Sequence, residues 1–316
     1  MVRRPVVVVD RVPVAGSGGR APGSGRLART LTGWGFALPF AVLFLAFTAG
    51  PVAVSLFMSV TDLRGTDLLE PFNVNIIGLD NYLRLFGDDK FLTAAGNTAV
   101  FVVVGVPLTM VLSLLVALGL NSGLVRFQTF FRVGYYLPVV TSIVAISVVW
   151  RFLLQPETGL ANEVLGLVGV DGPNWLNNPT FALPTLIVMG AWRNLGFGMV
   201  IFLAGLQAIP KDLYEAATID GARRFAQFRH LTVPMLRPTM LFVAVITTIG
   251  YVQFFEEPFV MTQGGPLDST LSLAYHTYNQ FGFGNYGYAS AMGYVLFVVV
   301  VLLSIAWFRL LRNNVD

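Results

Sequence analysis

The 316-residue chain has no cysteine and only two histidines, His230 and His276. The first absence excludes disulfides, thiolate chemistry and cysteine-held metals, and the second leaves too few ligands for a histidine-held one. Charge is scarce as well. Asp, Glu, Lys and Arg make up 12% of the residues, where a soluble domain carries about 25%. Hydrophobic residues reach 55% and mean hydropathy is +0.70. The chain therefore reads as an all-α polytopic membrane protein, because helices satisfy their own backbone hydrogen bonds inside lipid. A pI near 9.3 would suit a nucleic-acid binder. The basic residues, however, fall in short segments between apolar runs, a distribution that orients helices in a bilayer, so no nucleic-acid partner is expected.

What is present begins with a misleading tail. Val6 to Val9 followed by Gly16-Ser-Gly18-Gly-Arg-Ala21 imitates a strand entering a dinucleotide-binding turn. Pro22, Gly23 and Gly25 occupy the place where the phosphate-binding helix would begin, which rules that reading out. The tail also lacks Gly-Lys-Ser/Thr, so nucleotide is not bound there. Residues 1–32 are expected to form a disordered basic tail, followed by a membrane domain over 33–316. Crossing a ~30 Å hydrocarbon layer takes about 20 residues. On that rule six spans are expected, over 34–60, 95–120, 134–154, 181–207, 237–257 and 288–311, with kinks at Pro39, Pro51, Pro107, Pro138 and Pro184. Small residues at Gly105, Ala117, Gly119, Ala191, Gly196, Gly198, Ala204 and Gly205 suit close helix crossings.

Lys and Arg set the orientation. They cluster in the tail, at Arg126 and Arg132, at Lys211, Arg223, Arg224, Arg229 and Arg237, and at Arg309 and Arg312. All of these share one side when the N-terminus is cytosolic. Both termini and the 208–236 loop are then expected in the cytosol. The external loops would hold a short amphipathic helix within 61–94, a polar segment at 155–180, and compact aromatic turns at 258–287, which has no Lys or Arg.

The 208–238 stretch is the one strongly amphipathic, charged segment between two apolar runs. Pro210 suits a helix start, and Asp212 and Glu215 lie where the helix dipole favours acids. Gly221 falls where a left-handed residue would end that helix. A second, basic piece carrying Arg223, Arg224 and Arg229 is expected to be stopped by Pro234 and Pro238. Ala216, Ala217 and Gly221 would let a partner approach the backbone, while Glu215 and Asp220 offer carboxylates to it.

Glu215-Ala216-Ala217, Gly221 and Leu231-Thr232-Val233-Pro234 resemble the EAA loop of binding-protein-dependent ABC import permeases. Leu231 and Val233 stand where that pattern more often has Ile and Leu. Tyr136-Leu-Pro138, Trp175-Leu, Thr262-Gln-Gly-Gly-Pro266 and Gly287-Tyr-Ala-Ser-Ala291 extend the similarity over roughly residues 34–311, toward the sugar-permease branch of the maltose-transporter type. The resemblance implies a type I importer permease in a prokaryotic plasma membrane, translocating a di- or oligosaccharide. It also implies ATPase coupling through Tyr214, Glu215, Ala216, Ala217, Asp220, Gly221, Arg224 and Pro234. The implied partners are a second permease, two ABC ATPase subunits that hold ATP and magnesium, an extracytoplasmic solute-binding protein and membrane lipid. No cofactor is implied on this chain. Glycerol-3-phosphate permeases share the motifs and remain an alternative.

For the solute path, a charge at bilayer depth costs about 2.5–3.5 kcal/mol and faces protein or water. Arg193 is such a charge; it would line the path beside Asn194 or serve as a structural partner for a helix end or another subunit. Trp150, Tyr251 and Gln253 are further candidates. No Asp, Glu or His falls near the middle of a span, which argues against a proton-coupled secondary carrier. The absence of a nucleophile, base or metal cluster argues against an enzyme.

Overall fold

A computed structural model describes residues 24–67, 69, 74–123 and 126–311. Contacts divide the chain into two compact units, residues 1–54 and 55–316. In the first, residues 1–23 of the expected tail lie outside the described residues. Helix α1 (Ser24–Phe44) begins inside the stretch expected to be unstructured, where Leu27, Ala28 and Leu31 are good helix formers. A π-helical turn, Leu45–Ala49, follows, with the Gly50 amide bonded back to the Leu45 carbonyl, and the helix resumes as α2 (Gly50–Ser59). Trp34–Ser59 is long and apolar enough to cross a membrane.

The second unit is built on α4 (Asp89–Asn121), α8 (Pro179–Gln207), α12 (Arg237–Val252) and α15 (Tyr286–Leu311). Asp88 caps α4 by accepting from the Lys90 and Phe91 amides at 3.0 and 3.2 Å. Asn178 caps α8 in the same way at Thr180, with Pro179 at the first position. The core is formed by Phe101 and Val106 of α4, Leu186, Met189, Met199 and Phe202 of α8, and Val243 and Val252 of α12. Lipid gives no hydrophobic drive between helices, so close approach and polar ties decide how they pair. Ser113 donates to the Leu195 carbonyl at 2.9 Å, and the Thr109 and Tyr251 hydroxyls meet at 2.7 Å. At Gly196 an added Cβ would run into the Tyr135 carbonyl oxygen, at Gly198 it would lie 2.5 Å from Ser113 Oγ, and at Gly105 2.8 Å from the Tyr251 ring. Gly119 meets nothing within 4 Å, so it is not a crossing point.

Two expected spans are broken. Over 134–154 the chain forms α5 (Gln128–Val140) and α6 (Ile143–Leu153), bent by 101°. The break falls beyond Pro138, at extended Thr141, whose hydroxyl takes the Leu137 carbonyl at 2.8 Å. That is the carbonyl its amide would have bonded in a continuing helix. Over 237–257, α12 ends at Val252 and a separate helix, α13 (Glu256–Met261), follows. The segment before α12 also bends, by 64°. Among the described residues four helices are long and apolar enough to span unbroken; the number reaches six when each bent pair is taken as one span.

The expected helix within 61–94 is the six-residue α3 (Asp80–Leu85), with Leu85 buried and Leu83 exposed. Asn81 ties it to the Ser59 and Thr61 carbonyls at 3.0 and 2.8 Å. In the 155–180 segment, α7 (Leu160–Leu167) holds Asn162, whose Oδ1 accepts from Trp175 Nε1 at 2.6 Å. The 258–287 segment is not a series of turns. It contains the end of α13 and all of α14 (Leu273–Gly282), which Ser272 caps by accepting from the Tyr275 amide at 3.0 Å. Its rings Phe259, Tyr275 and Tyr278 form a cluster with Phe255, which precedes the segment.

A polar clasp joins α14, α15 and the start of α4. Tyr288 Oη donates to Asp88 Oδ2 at 2.7 Å, His276 Nε2 lies 3.7 Å from the same oxygen, and the Arg84 guanidinium sits 4.5 Å above the Tyr288 ring. Burial pushes the Asp88 carboxyl up, but hydrogen bonds from Tyr288 and the Phe91 and Lys90 amides outweigh it and hold the group below its ordinary value. Burial also drives His276 below the ordinary histidine value, against the opposing pull of Asp88.

Candidate functional site

Two features stand out, an exposed hairpin and a charged cavity. The hairpin opens with α9 (Lys211–Ile219), preceded by Pro210 and with Asp212 in its first turn. It ends as the spacing predicts. Gly221 takes φ +81, the Ala222 amide bonds the Ala217 carbonyl at 2.9 Å, and the Gly221 amide bonds the Thr218 carbonyl at 3.0 Å. This is the paired Schellman closure, which requires a left-handed residue at the position after the cap. The returning arm is α10 (Arg224–Gln227), a π-helical turn (Phe228–Thr232) and α11 (Val233–Met235).

Pro234 does not stop this arm. The π turn ends two residues before it, as the one at 45–49 ends two residues before Pro51. Proline lacks an amide and its ring crowds the preceding turn, so a wider turn ahead of it lets the helix continue. The bend comes only between Met235 and Arg237.

Side chains bind the two arms together. Tyr214 Oη meets Thr232 Oγ1 at 2.9 Å, and the Gln227 amide donates to Thr218 Oγ1 at 2.9 Å and the Ala222 carbonyl at 3.0 Å. Tyr214 and Ala217 are half-buried on this inner side. Glu215, Ala216, Asp220, Gly221 and Arg224 are exposed, and space around Gly221 is open. Ile219 and Phe225 flank that tip at 86% and 72% exposure. Tyr214 and Gln227 thus brace the hairpin, Ala217 and Pro234 are half-buried in it, and the carboxylates, Arg224 and the tip are exposed. Bare apolar side chains beside carboxylates on an ordered hairpin have the makeup of a docking surface.

The cavity, of about 380 Å³, lies between α8, α12, the start of α13 and the α5–α6 break, which contributes Val139 and Ile143. Arg193, Asn194 and Phe197 line it from α8, Thr247 and Tyr251 from α12, and Phe254, Glu256 and Glu257 from the break and α13. Of the five sequence-predicted path residues, Arg193, Asn194 and Tyr251 come together here. Trp150 does not line the cavity; its ring packs 5.6 Å from that of Trp192. Gln253 follows the last turn of α12 and opens on a different pocket, with Thr277 and Phe297.

Glu257 was not foreseen from the sequence. It is only 4% exposed, and its Oε2, like Arg193 Nε, is buried without a hydrogen-bond partner. The signal was available: Glu256-Glu257-Pro258 after an apolar run is a helix start, with acids in the first turn and proline near it. Among the described residues no three metal-ligating groups converge.

Residues 89–316 match the family model described as binding-protein-dependent transport system inner membrane component. The chain is 36% identical over 290 residues to the lactose transport system permease protein LacF of Rhizobium radiobacter, covering 90% of this chain and 95% of LacF. It is 33% identical over 283 residues to the trehalose/maltose transport system permease protein MalF of Thermococcus litoralis, covering 88% and 93%. Among solved structures, a chain of a bacterial alginate ABC transporter, in complex with an alginate pentasaccharide-bound periplasmic protein, aligns with a TM-score of 0.77 at 24% identity, covering 91% of this chain and 96% of that one.

Proposed function

Because the chain belongs to the family of binding-protein-dependent transport system inner membrane components, we propose that it is the permease subunit of an ATP-driven importer and that its cargo is a carbohydrate. The observation that carries the reading is the hairpin. It is closed by Gly221, braced by Tyr214 and Gln227, and presents Glu215, Asp220 and an apolar tip outward. The positive-inside distribution supports a cytosolic hairpin, with both termini on the same side, where a nucleotide-hydrolysing partner is available. The carbohydrate cargo is supported by the relatives, named for lactose and for trehalose/maltose transport.

On this reading the chain performs no covalent chemistry and binds no nucleotide. Two ATPase subunits hold ATP and magnesium, a second permease completes the path, and an extracytoplasmic binding protein delivers the solute. ATP-driven closure of the ATPases draws the docked hairpins together and rocks the spans, and hydrolysis resets them. The test is Glu215→Lys in the complete transporter. Charge reversal on the exposed face is expected to lower co-purification of the ATPase and ATP-dependent uptake together, roughly tenfold or more if the carboxylate meets a basic group. Unchanged recovery and unchanged uptake would remove the hairpin from the coupling role.

A further inference from the structure

The cavity holds an unsatisfied donor and an unsatisfied acceptor at once. Arg193 Nε and Glu257 Oε2 are both buried, both without a hydrogen-bond partner, and both belong to residues lining the same space. Buried polar atoms are normally paired, so a donor and an acceptor left over on two side chains that line one cavity suit a ligand that supplies both partners once these side chains turn toward it. A hydroxyl group does so: its oxygen accepts from Nε–H and its O–H donates to a carboxylate oxygen. Phe254, stacked on Phe101 at 3.9 Å, Phe197 and Ile246 make the rest of the wall largely apolar.

Charge narrows the ligand further. Arg193 contributes one positive charge to the wall, while Glu256 and Glu257 contribute up to two negative ones. An anion would enter against one or two carboxylates with a single guanidinium to meet it. Arg193 alone would have pointed to a phosphate or carboxylate solute; Arg193 with Glu257 opposes one. We infer that Arg193 and Glu257 are specificity-determining residues that admit uncharged polyhydroxyl solutes and refuse phosphorylated or uronic-acid ones.

This inference rests on the permease reading, so its test uses the assembled transporter with both permeases and both ATPases, reconstituted in nanodiscs. Tryptophan fluorescence, with Trp192 adjacent to Arg193 in the chain, is read on titration with a set of neutral disaccharides, with glycerol 3-phosphate and with a galacturonate disaccharide. ATP-dependent uptake is measured in parallel. Wild type is expected to respond to at least one neutral disaccharide and to neither anion. Arg193→Gln should weaken the neutral response roughly tenfold or more, the worth of one charge-assisted hydrogen bond. Arg193→Lys, which keeps the charge without the Nε–H, should recover only part of it. The double variant Glu256→Gln, Glu257→Gln should gain a response to the anions.

A wild-type response to the anions equal to the neutral one, no response to any neutral sugar, or a double variant with unmoved preference each overturns the inference. Size-exclusion chromatography on every variant separates these results from loss of fold. An intact, ATP-hydrolysing assembly with unmoved preference sinks only this inference, whereas failure to assemble with an ATPase sinks the permease reading.

Discussion

Replacing Gly221 by alanine measures what the closure of the hairpin is worth. The residue sits at φ +81, and an added Cβ would meet nothing within 4 Å. No steric clash enters, and the cost is that of holding an L-residue in the left-handed region, about 1–2 kcal/mol. If the two closing bonds, Ala222 amide to Ala217 and Gly221 amide to Thr218, open together, their open population rises roughly 5- to 30-fold. Hydrogen exchange followed by mass spectrometry over peptides spanning 217–224 reads that population. The alanine variant should exchange faster by that factor there, while α8 is unchanged. Gly221→Asn is the control, since asparagine visits the left-handed region more readily and should show a smaller rise. Equal exchange in wild type, Ala and Asn variants, or a rise that spreads into α8, would refute the local-strain argument. A matching drop in ATP-dependent uptake for Ala, larger than for Asn, ties the closure to coupling.

Two further outcomes are expected. Gly196→Ala places a methyl group against the Tyr135 backbone carbonyl and, because backbone cannot swing aside as a side chain does, should cost about 1–3 kcal/mol. Gly119→Ala has open space and should be neutral or stabilising by up to ~1 kcal/mol; thermal unfolding in detergent compares them, and equal midpoints would contradict the close-crossing assignment. The clasp at His276 and Asp88 should weaken in acid. Both groups are held below their ordinary values, so each contributes stability that is fully present above its unfolded pKa. The His276 part is lost as pH falls below about 6.5 and the Asp88 part only below about 4. Unfolding midpoints between pH 7.5 and 5 should therefore drop in wild type and drop less in His276→Gln; parallel profiles would rule the histidine out.

How far the sequence could be read depended on whether a feature was local. Pro210, Asp212 and Gly221 announce the hairpin because helix starts and stops are decided within one turn of the chain. The breaks were hidden for the same reason. Pro138 was visible as a kink, yet the 101° bend falls after it, where Thr141's own hydroxyl takes the Leu137 carbonyl. Pro234 was visible as a stop, yet a π turn carries the helix through it. Length and hydropathy alone cannot separate one 20-residue span from two shorter helices at an angle. That Arg193 and Glu257 line one cavity was less legible still, since it brings the middle of one helix and the start of another to the same space.

The same two helices bear on how the hairpin and the cavity communicate. The outgoing arm of the hairpin is separated from α8 only by Ala208, Ile209 and Pro210, and Ile209 is buried in the core. The returning arm passes directly through Leu236, also buried, into α12. Arg193 lies on α8 and Tyr251 on α12, so each arm continues into a helix that lines the cavity. From Gln207 back to Arg193 the rise is about 21 Å at 1.5 Å per residue, without a break in α8. A pull on the hairpin would therefore reach the cavity through two rods anchored near their bases, α8 directly and α12 by way of the 64° bend at Leu236. The Thr109–Tyr251 bond and the Ser113–Leu195 bond tie both rods to α4. A displacement of either arm that changes the space between Arg193 and Tyr251 must therefore carry or break one of these bonds, whereas α13, with Glu257, is held from another side, where the Arg151 guanidinium of α6 donates to the Val260 carbonyl at 3.2 Å.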